Sequence, residues 1–123
     1  MTYTYGFEKL DVWKQSKDLV VCVYGITKNF PKEEKYSLVS QINRAAVSVP
    51  SNIAEGSSRS SRKEQAHFTQ IAYGSLVELL TQLIISQEIG YISNEEYSSL
   101  RKRIEELTNK LNSLRKYQLE SKK

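Results

Sequence analysis

The sequence has few of the side chains that build metal centres and catalytic triads, with one cysteine and one histidine in 123 residues. A single cysteine excludes an intrachain disulfide and a cysteine-based zinc site within one chain. Cys22 lies in an apolar helical run, so we interpret it as a small core residue rather than a reactive thiol. No Ser/His/Asp or Cys/His arrangement is credible with this composition, and we predict that the protein is not an enzyme.

Glycine and proline are also scarce, with five and two residues. This scarcity argues against a β-rich fold with many turns and against a disordered chain. The hydrophobic and charged fractions of 39% and 26% are typical of a soluble globular protein, and the length suits one domain over residues 1–123. No apolar run approaches the roughly 20 residues of a membrane span, and the N-terminus has no signal-peptide pattern. We therefore expect a cytoplasmic protein without a membrane partner.

Apolar residues instead recur with helical spacing in four segments. We predict helices over about 12–29, 36–55, 62–89 and 94–118. The fourth has the most regular pattern, an a/d seam that runs from Tyr97 to Leu114. Four long helices with short connections and no candidate strand predict an all-α fold, an up-down-up-down antiparallel four-helix bundle.

Capping and breaking residues indicate where these helices end. Asp11 is a good N-cap for the first helix, and Ser61 and Ser93 each begin a capping box. Gly56 is expected just beyond the second helix, as a C′ glycine, and a glycine also closes the third. Pro50 lies inside the second segment, but the apolar period continues past it, so we expect one kinked helix.

A stripe of polar residues runs beside the apolar stripe of the second helix and has a counterpart on the third. Two interpretations are open: a buried hydrogen-bonded network that fixes helix register or subunit geometry, and a ligand or nucleotide pocket. We favour the network, in which Arg44 pairs with Glu78 across the two helices. Its predicted members are Arg44, Ser48, Asn52, Glu55, Ser75 and Glu78.

One metal-binding pattern is present in part. Glu64 and His67 form a Glu-x-x-His pair, of which carboxylate-bridged di-iron bundles need two. His67 is the only histidine, so one chain cannot supply the second pair. We predict no metal site and no cofactor.

The net charge of +4 and the isoelectric point of about 9.1 allow a nucleic-acid partner without demanding one. Basic residues gather at the turn into the third helix and on the fourth helix. Glutamates dilute the fourth-helix group, so an ordinary solvated face is the alternative interpretation. We predict phosphate contacts from the two groups, Arg59, Arg62 and Lys63, and Arg101, Lys102 and Arg103.

Five stretches carry a resemblance to a known family, and together they cover nearly the whole chain. They are residues 7–13 (FEKLDVW), 41–56 (QINRAAVSVPSNIAEG), 63–68 (KEQAHF), 74–83 (Gly74-Ser75-Leu76, Glu78-Leu79 and Gln82-Leu83) and Gly90-Tyr91. They resemble the four-helix bundle proteins that are encoded in intervening sequences of bacterial 23S ribosomal RNA genes, often labelled S23-like. Members of that family look similar to the accessory variability protein of diversity-generating retroelements. The resemblance implies a homopentamer, no established enzymatic activity and an RNA or other nucleic-acid role. Asn43 stands where the family commonly has the first of two arginines, which weakens a phosphate-contact role for that face.

We therefore predict a non-enzymatic, cytoplasmic, homo-oligomeric four-helix bundle. Its basic surfaces are expected to bind structured nucleic acid, RNA in preference to DNA. The alternative is a protein-interaction scaffold that docks an RNA-processing enzyme or a reverse transcriptase.

Overall fold

The computed structural model of the protein describes residues 2–120, so residues 1 and 121–123 of the predicted domain lie outside it. Four α-helices account for most of this part of the chain, and it contains no strand. The helices are α1 (Asp11–Thr27), α2 (Leu38–Ser57), α3 (Arg62–Glu88) and α4 (Asn94–Leu119). Short 3-10 turns at Gly6–Lys9 and Lys32–Glu34 precede α1 and α2.

The helices pack in a ring, since each contacts its neighbours in sequence and α4 returns to α1. Contacts between helix ends show that neighbours run in opposite directions. Asp11 at the start of α1 forms an ion pair of 2.7 Å with Lys110 near the end of α4. Arg62 at the start of α3 bonds Tyr117 at the end of α4. The predicted all-helical fold with four helices is thereby confirmed.

The core lies along the central axis and is aliphatic. The a/d seam of α4 is buried as its 3-4 spacing predicts, and the facing residues of the other helices are branched or small, so the four backbones approach closely. Fully buried side chains include Leu19, Val23, Ile42, Val49, Leu76, Leu79, Leu83, Leu100, Ile104, Leu107 and Leu111. Burial of a leucine of this kind stabilises the fold by about 1.5–3 kcal/mol.

Of the five helix-end predictions, those for Ser93 and Gly90 hold, that for Ser61 holds in part, and those for Asp11 and Gly56 are wrong. The Ser93 side chain accepts from the Glu96 backbone while Glu96 returns to the Ser93 backbone, both at 3.0 Å, which completes the predicted capping box. Ser61 caps α3 by accepting from the Glu64 amide at 3.1 Å, but within residues 2–120 no hydrogen bond from the Ser61 amide to the Glu64 side chain completes the predicted capping box. Asp11, however, is the first residue of α1 rather than its cap, and its carboxylate is used by Lys110.

Gly56 is the second correction, because it lies inside α2 rather than beyond its end. A Cβ at this position would lie 2.9 Å from Phe68 Cβ and 3.4 Å from the Gln65 carbonyl oxygen. Gly56 therefore allows α3 to approach α2 closely, which is a packing role and not a capping role. Gly90 does close α3, since it has a φ of +87°. The Tyr91 amide then bonds the Ser86 carbonyl at 2.9 Å in a Schellman arrangement.

α3 also departs from one expectation about composition. By length and composition alone it is apolar enough to cross a membrane, although Ser75, Glu78 and Gln82 interrupt any continuous apolar run. A core helix of a soluble protein meets the same criterion. Only 39% of the apolar window of α3 is buried within the chain, so much of this helix presents apolar surface outward.

Candidate nucleic-acid interface

The inner part of the predicted polar network joins α2 to α3. Ser48 Oγ and Ser75 Oγ lie 2.8 Å apart, and Asn52 Nδ2 donates to the Ser48 hydroxyl at 2.9 Å and to its carbonyl at 2.8 Å. Ser75 is buried, with 8% of its surface exposed. These three side chains satisfy one another between the two helices, so they fix the register of the pair.

The outer members of that network have other partners. Glu55 pairs with Arg59 one turn later, and Glu78 accepts a hydrogen bond of 3.4 Å from Gln82. Arg44 is exposed, and no hydrogen bond or ion pair within residues 2–120 joins it to Glu78. Arg44 instead lines a concavity on the α1 side of α2. The Arg44–Glu78 pair is therefore a correction, because the helical rotation directs Arg44 away from α3.

The first predicted basic group is held largely by its own chain. The Arg59 guanidinium pairs with Glu55 and lies over the Phe68 ring at 4.8 Å. Arg62 donates to the Tyr117 carbonyl and hydroxyl at 3.1 and 3.0 Å and covers that ring at 4.3 Å. Both arginines are half-buried, whereas Lys63 is exposed. Of the three, Lys63 is the cation with no partner within residues 2–120.

The second group lies about 24 Å further along the bundle, which is the rise of α4 from Arg101 to Tyr117. Arg101 donates to Tyr97 Oη at 2.6 Å and to Glu105 at 3.2 Å, and these bonds raise its pKa. Arg103 projects on the α1 side of α4, where it lines a small cavity with Gln15 and Glu106 but forms no ion pair with this glutamate. The two predicted groups are thus separate surfaces on one chain, and Lys102 and Arg103 carry charges without an ion-pair partner in the described chain.

A third basic surface, which the sequence did not reveal, lies between the end of α1, the turn that follows and the start of α2. Two adjoining concavities of about 290 and 540 Å³ share Tyr24, Lys35, Val39 and Asn43. We call them the α1–α2 cleft. Its basic residues are Lys28, Lys32, Lys35 and Arg44, and its aromatic residues are Tyr24, Phe30 and Tyr36.

No acidic side chain lines the α1–α2 cleft, although two glutamates are close in sequence. Glu34 is held elsewhere, since Ser37 Oγ donates to it at 2.8 Å and Tyr91 Oη at 2.9 Å. These two hydrogen bonds stabilise the carboxylate and lower the pKa of Glu34, and the bond to Glu34 raises the pKa of Tyr91. Neither Lys32 nor Lys35 forms an ion pair with Glu33 or Glu34 in the described chain.

The chain is similar to known proteins over a region that spans α1 to α3 and most of α4. The model of the 23S rRNA-intervening sequence protein family matches residues 8–113. The chain belongs to this family. The matched region contains the α1–α2 cleft and the Ser48–Ser75 contact, and it leaves out Tyr117, the partner of Arg62.

A solved structure from the S23 ribosomal protein family of Bacteroides thetaiotaomicron VPI-5482, a protein of unknown function, has the same fold. It superposes with a TM-score of 0.78 at 25% sequence identity, and the match covers 85% of this chain and 98% of that one. No curated protein matches the chain.

The histidine pattern has no metal-binding partner residues. Within residues 2–120 no group of three or more histidine, cysteine, aspartate and glutamate side chains is placed to hold a metal ion. The His67 ring lies 5.4 Å from the Phe68 ring, edge to face.

Proposed function

We propose that the protein is a non-enzymatic, homo-oligomeric four-helix bundle. It binds structured nucleic acid through its basic surfaces, and RNA is the preferred partner over DNA. The observation that carries this proposal is the set of exposed cations that have no acidic partner on a chain of net charge +4. Cations of this kind can release counterions from a phosphate backbone without first breaking an ion pair. Those on the basic surfaces described above are Lys63, Lys102, Arg103, and Lys28, Lys32, Lys35 and Arg44 of the α1–α2 cleft; Lys9, Lys14 and Lys116 are likewise exposed and outside the ion pairs of the described chain.

Three of the originally predicted contacts have a different part in this proposal. Arg59, Arg62 and Arg101 are engaged by Glu55, Tyr117 and Tyr97. A guanidinium has five N–H donors, so each can still reach a phosphate while it keeps its partner. Their contribution to affinity should be smaller than that of an unpaired lysine, because part of their charge is already compensated.

The oligomer is supported by the outer face of α3. Its exposed apolar residues are Ile71, Val77 and Ile85, with Gly74 among them and Ile89 just beyond the helix end, and we call this set the α3 stripe. The exposed side chains of Glu78 and Thr81 lie between Val77 and Ile85. Exposed apolar side chains gathered on one helix are typical of a protein–protein contact. The family resemblance suggests a pentamer, in which five chains at +4 each would present +20 to one RNA.

The small residues expected to serve the oligomer are mostly used within one chain. Ala45 and Ala46 are buried in the core, and Ser75 is bonded to Ser48. Gly74 is the exception, because it is exposed and a Cβ there would meet nothing within 4 Å. The proposed contact between copies therefore rests on the α3 stripe and on Gly74 within it.

A salt titration of RNA binding tests the proposal. A structured RNA should bind at low salt, and the logarithm of the affinity should fall linearly with the logarithm of salt concentration, with a slope of about 0.7–0.9 for each phosphate contact. Absence of binding at low salt, or an affinity indifferent to salt, contradicts it.

A second candidate is a scaffold that docks another protein, and the α3 stripe also favours it. A purification from lysate treated with nuclease separates the two. Retention of a stoichiometric protein on the native chain, and its loss when Ile85 is replaced by glutamate, would favour the scaffold.

A further inference from the structure

The α1–α2 cleft has a rigid floor. Phe30 is 7% exposed and its ring lies 5.3 Å from the Tyr91 ring, while Tyr91 Oη holds Glu34 on the same connection. Pro31 fixes the backbone between the floor and Lys32. The segment that carries the lysines is therefore attached to Tyr91, just beyond the end of α3, by a ring contact and a hydrogen bond.

One wall of the cleft is an accessible aromatic face. Tyr24 is 47% exposed on α1 and lines both concavities. Tyr36 is 87% exposed, and Lys35 Nζ lies 5.3 Å from its ring centroid. An exposed tyrosine beside lysines is the arrangement with which proteins stack single-stranded bases and follow their phosphates.

Asn43 adds a directional polar group to the cleft. Thr27 Oγ1 donates to Asn43 Oδ1 at 3.0 Å, which fixes the amide between α1 and α2. Asn43 Nδ2 has no hydrogen-bond partner within residues 2–120 and lies on a side chain that lines both concavities. It can donate to a base or phosphate oxygen beside Tyr24.

Size and charge agree with one ligand class. Small-molecule sites commonly measure about 300–1,000 Å³, and the more enclosed of the two concavities, about 290 Å³, lies at the lower end of that range. A ligand with an aromatic face and an anionic group would use Tyr24, the Asn43 amide and the surrounding cations together. An uncharged apolar ligand would leave four unpaired cations around it without a role.

We infer that the α1–α2 cleft binds one unstacked nucleotide, with the base against Tyr24 and the phosphate among Lys28, Lys32 and Lys35. If the nucleotide belongs to RNA, it is an unpaired position of a bound strand, and the inference then rests on the proposed function. A free mononucleotide supplies the same chemistry, and the experiment separates the two sources.

The first arm measures binding of a short single-stranded RNA of mixed sequence by fluorescence anisotropy. The Lys32→Ala/Lys35→Ala variant is compared with Lys102→Ala/Arg103→Ala, which removes the same charge from α4. The cleft variant should flatten the salt slope by about 0.7 for each lost phosphate contact and weaken binding more than the α4 variant does. Equal weakening, or greater weakening by the α4 variant, overturns the cleft and leaves the proposed function standing.

The second arm tests stacking at Tyr24. Tyr24→Leu keeps an apolar side chain without a π face and should weaken RNA binding about five- to a hundredfold, whereas Tyr24→Phe should retain most of the affinity. Because Tyr24 is exposed, both variants should unfold at the temperature of the native protein, which circular dichroism checks. Identical affinities for the two variants overturn the inference.

The third arm uses 5′-AMP and inorganic phosphate as probes of the native protein in NMR titrations. If RNA does not bind at low salt, the proposed function is contradicted, and this arm alone decides the cleft. Shifts of the Tyr24 and Asn43 signals with 5′-AMP that phosphate does not reproduce would support a free-nucleotide site. No shift with either probe would overturn the cleft as well.

Discussion

α3 and α4 are almost equal in length, with 27 and 26 residues, and pack against each other, but their outer faces differ. Between Gln65 and Gln87 the only aspartate, glutamate, lysine or arginine of α3 is Glu78. The exposed face of α4 is covered with charges of both signs. Its exposed charged residues are Glu95, Arg101, Lys102, Arg103, Glu105, Glu106, Lys110 and Lys116.

The inner faces of the two helices, by contrast, are alike. Leu79 and Leu107 have at most 1% of their surface exposed, and each belongs to a row of buried aliphatic residues. The comparison teaches that burial within one chain accounts for the inner faces only. The exposed Ile71, Val77 and Ile85 of α3 are not accounted for in this way, and in our proposal they meet another copy of the chain.

The largest expected effect comes from a charge placed on each outer face. In the proposed oligomer, Ile85→Glu buries a carboxylate without a counter-charge at every contact, at a cost of about 3–5 kcal/mol, and should dissociate the assembly. Asn109→Glu adds the same charge to the exposed side of α4 and should leave the assembly intact. Sedimentation velocity measures both. If the two variants sediment alike, the outer face of α3 is no more involved in assembly than that of α4, and the proposed contact is contradicted.

Truncation of the inner faces should have the next largest effect, and the same one on both helices. Leu79→Ala and Leu107→Ala each leave a cavity in the aliphatic core and should lower the free energy of unfolding by about 2–5 kcal/mol. Chemical denaturation provides the measurement, with Asn109→Ala as the exposed control, which should change it by less than about 0.5 kcal/mol. A cost below about 1 kcal/mol at either leucine would mean that its seam is not a packed core.

The close approach of α2 to α3 can be tested with two glycines inside helices. Gly56→Ala places a Cβ 2.9 Å from Phe68 Cβ, so the helices must separate, and we expect a loss of about 1–3 kcal/mol. Gly25→Ala meets nothing within 4 Å and should gain up to about 1 kcal/mol from helix propensity. Thermal unfolding of the two variants gives the signs. A gain at Gly56 would contradict the close contact.

Much of this fold follows from periodicity in the sequence. The 3-4 spacing from Leu100 to Leu111 indicates a helix with one buried face. All four observed helices begin and end within two residues of the predicted bounds. The role of Gly56 could not be predicted, because a glycine followed by serines has the same local pattern whether it ends a helix or admits a neighbour. Only the position of Phe68 on another helix distinguishes the two.

The basic surfaces were less predictable for the same reason. The run Lys32-Glu33-Glu34-Lys35 reads as a self-compensating charged turn. In the structure, however, Glu34 accepts a hydrogen bond from Tyr91, which is 57 residues away in sequence. Likewise, charge alone suggested that Arg59 and Arg62 face a phosphate backbone, and local spacing does not reveal that Phe68 and Tyr117 cover them.

The smallest expected effect is the pH dependence of the Glu34–Tyr91 contact. The pKa of Glu34 lies below its ordinary 4.5, so its contribution to stability is present above that pH and is lost as the pH falls through the lowered value. The pKa of Tyr91 lies above its ordinary 10.0, so its contribution is present below pH 10.0 and is lost as the pH rises through the raised value.

Two variants separate these contributions in thermal unfolding across pH. Tyr91→Phe removes the contact, so its stability difference from the native protein should be largest between the two pKa ranges and shrink at both extremes. Ser37→Ala removes the hydrogen bond that lowers the pKa of Glu34 most, so its difference should shrink at acid pH only. A difference that does not vary with pH for either variant would mean that Glu34 is not held by these hydroxyls.

Sedimentation equilibrium of the unmodified protein at micromolar concentration tests most directly whether the α3 stripe meets another copy. We predict one closed homo-oligomer, with five times the 14.2 kDa mass of a single chain as the expected value. A stable monomer at that concentration would contradict the proposal, and the apolar exterior of α3 would then need a different partner.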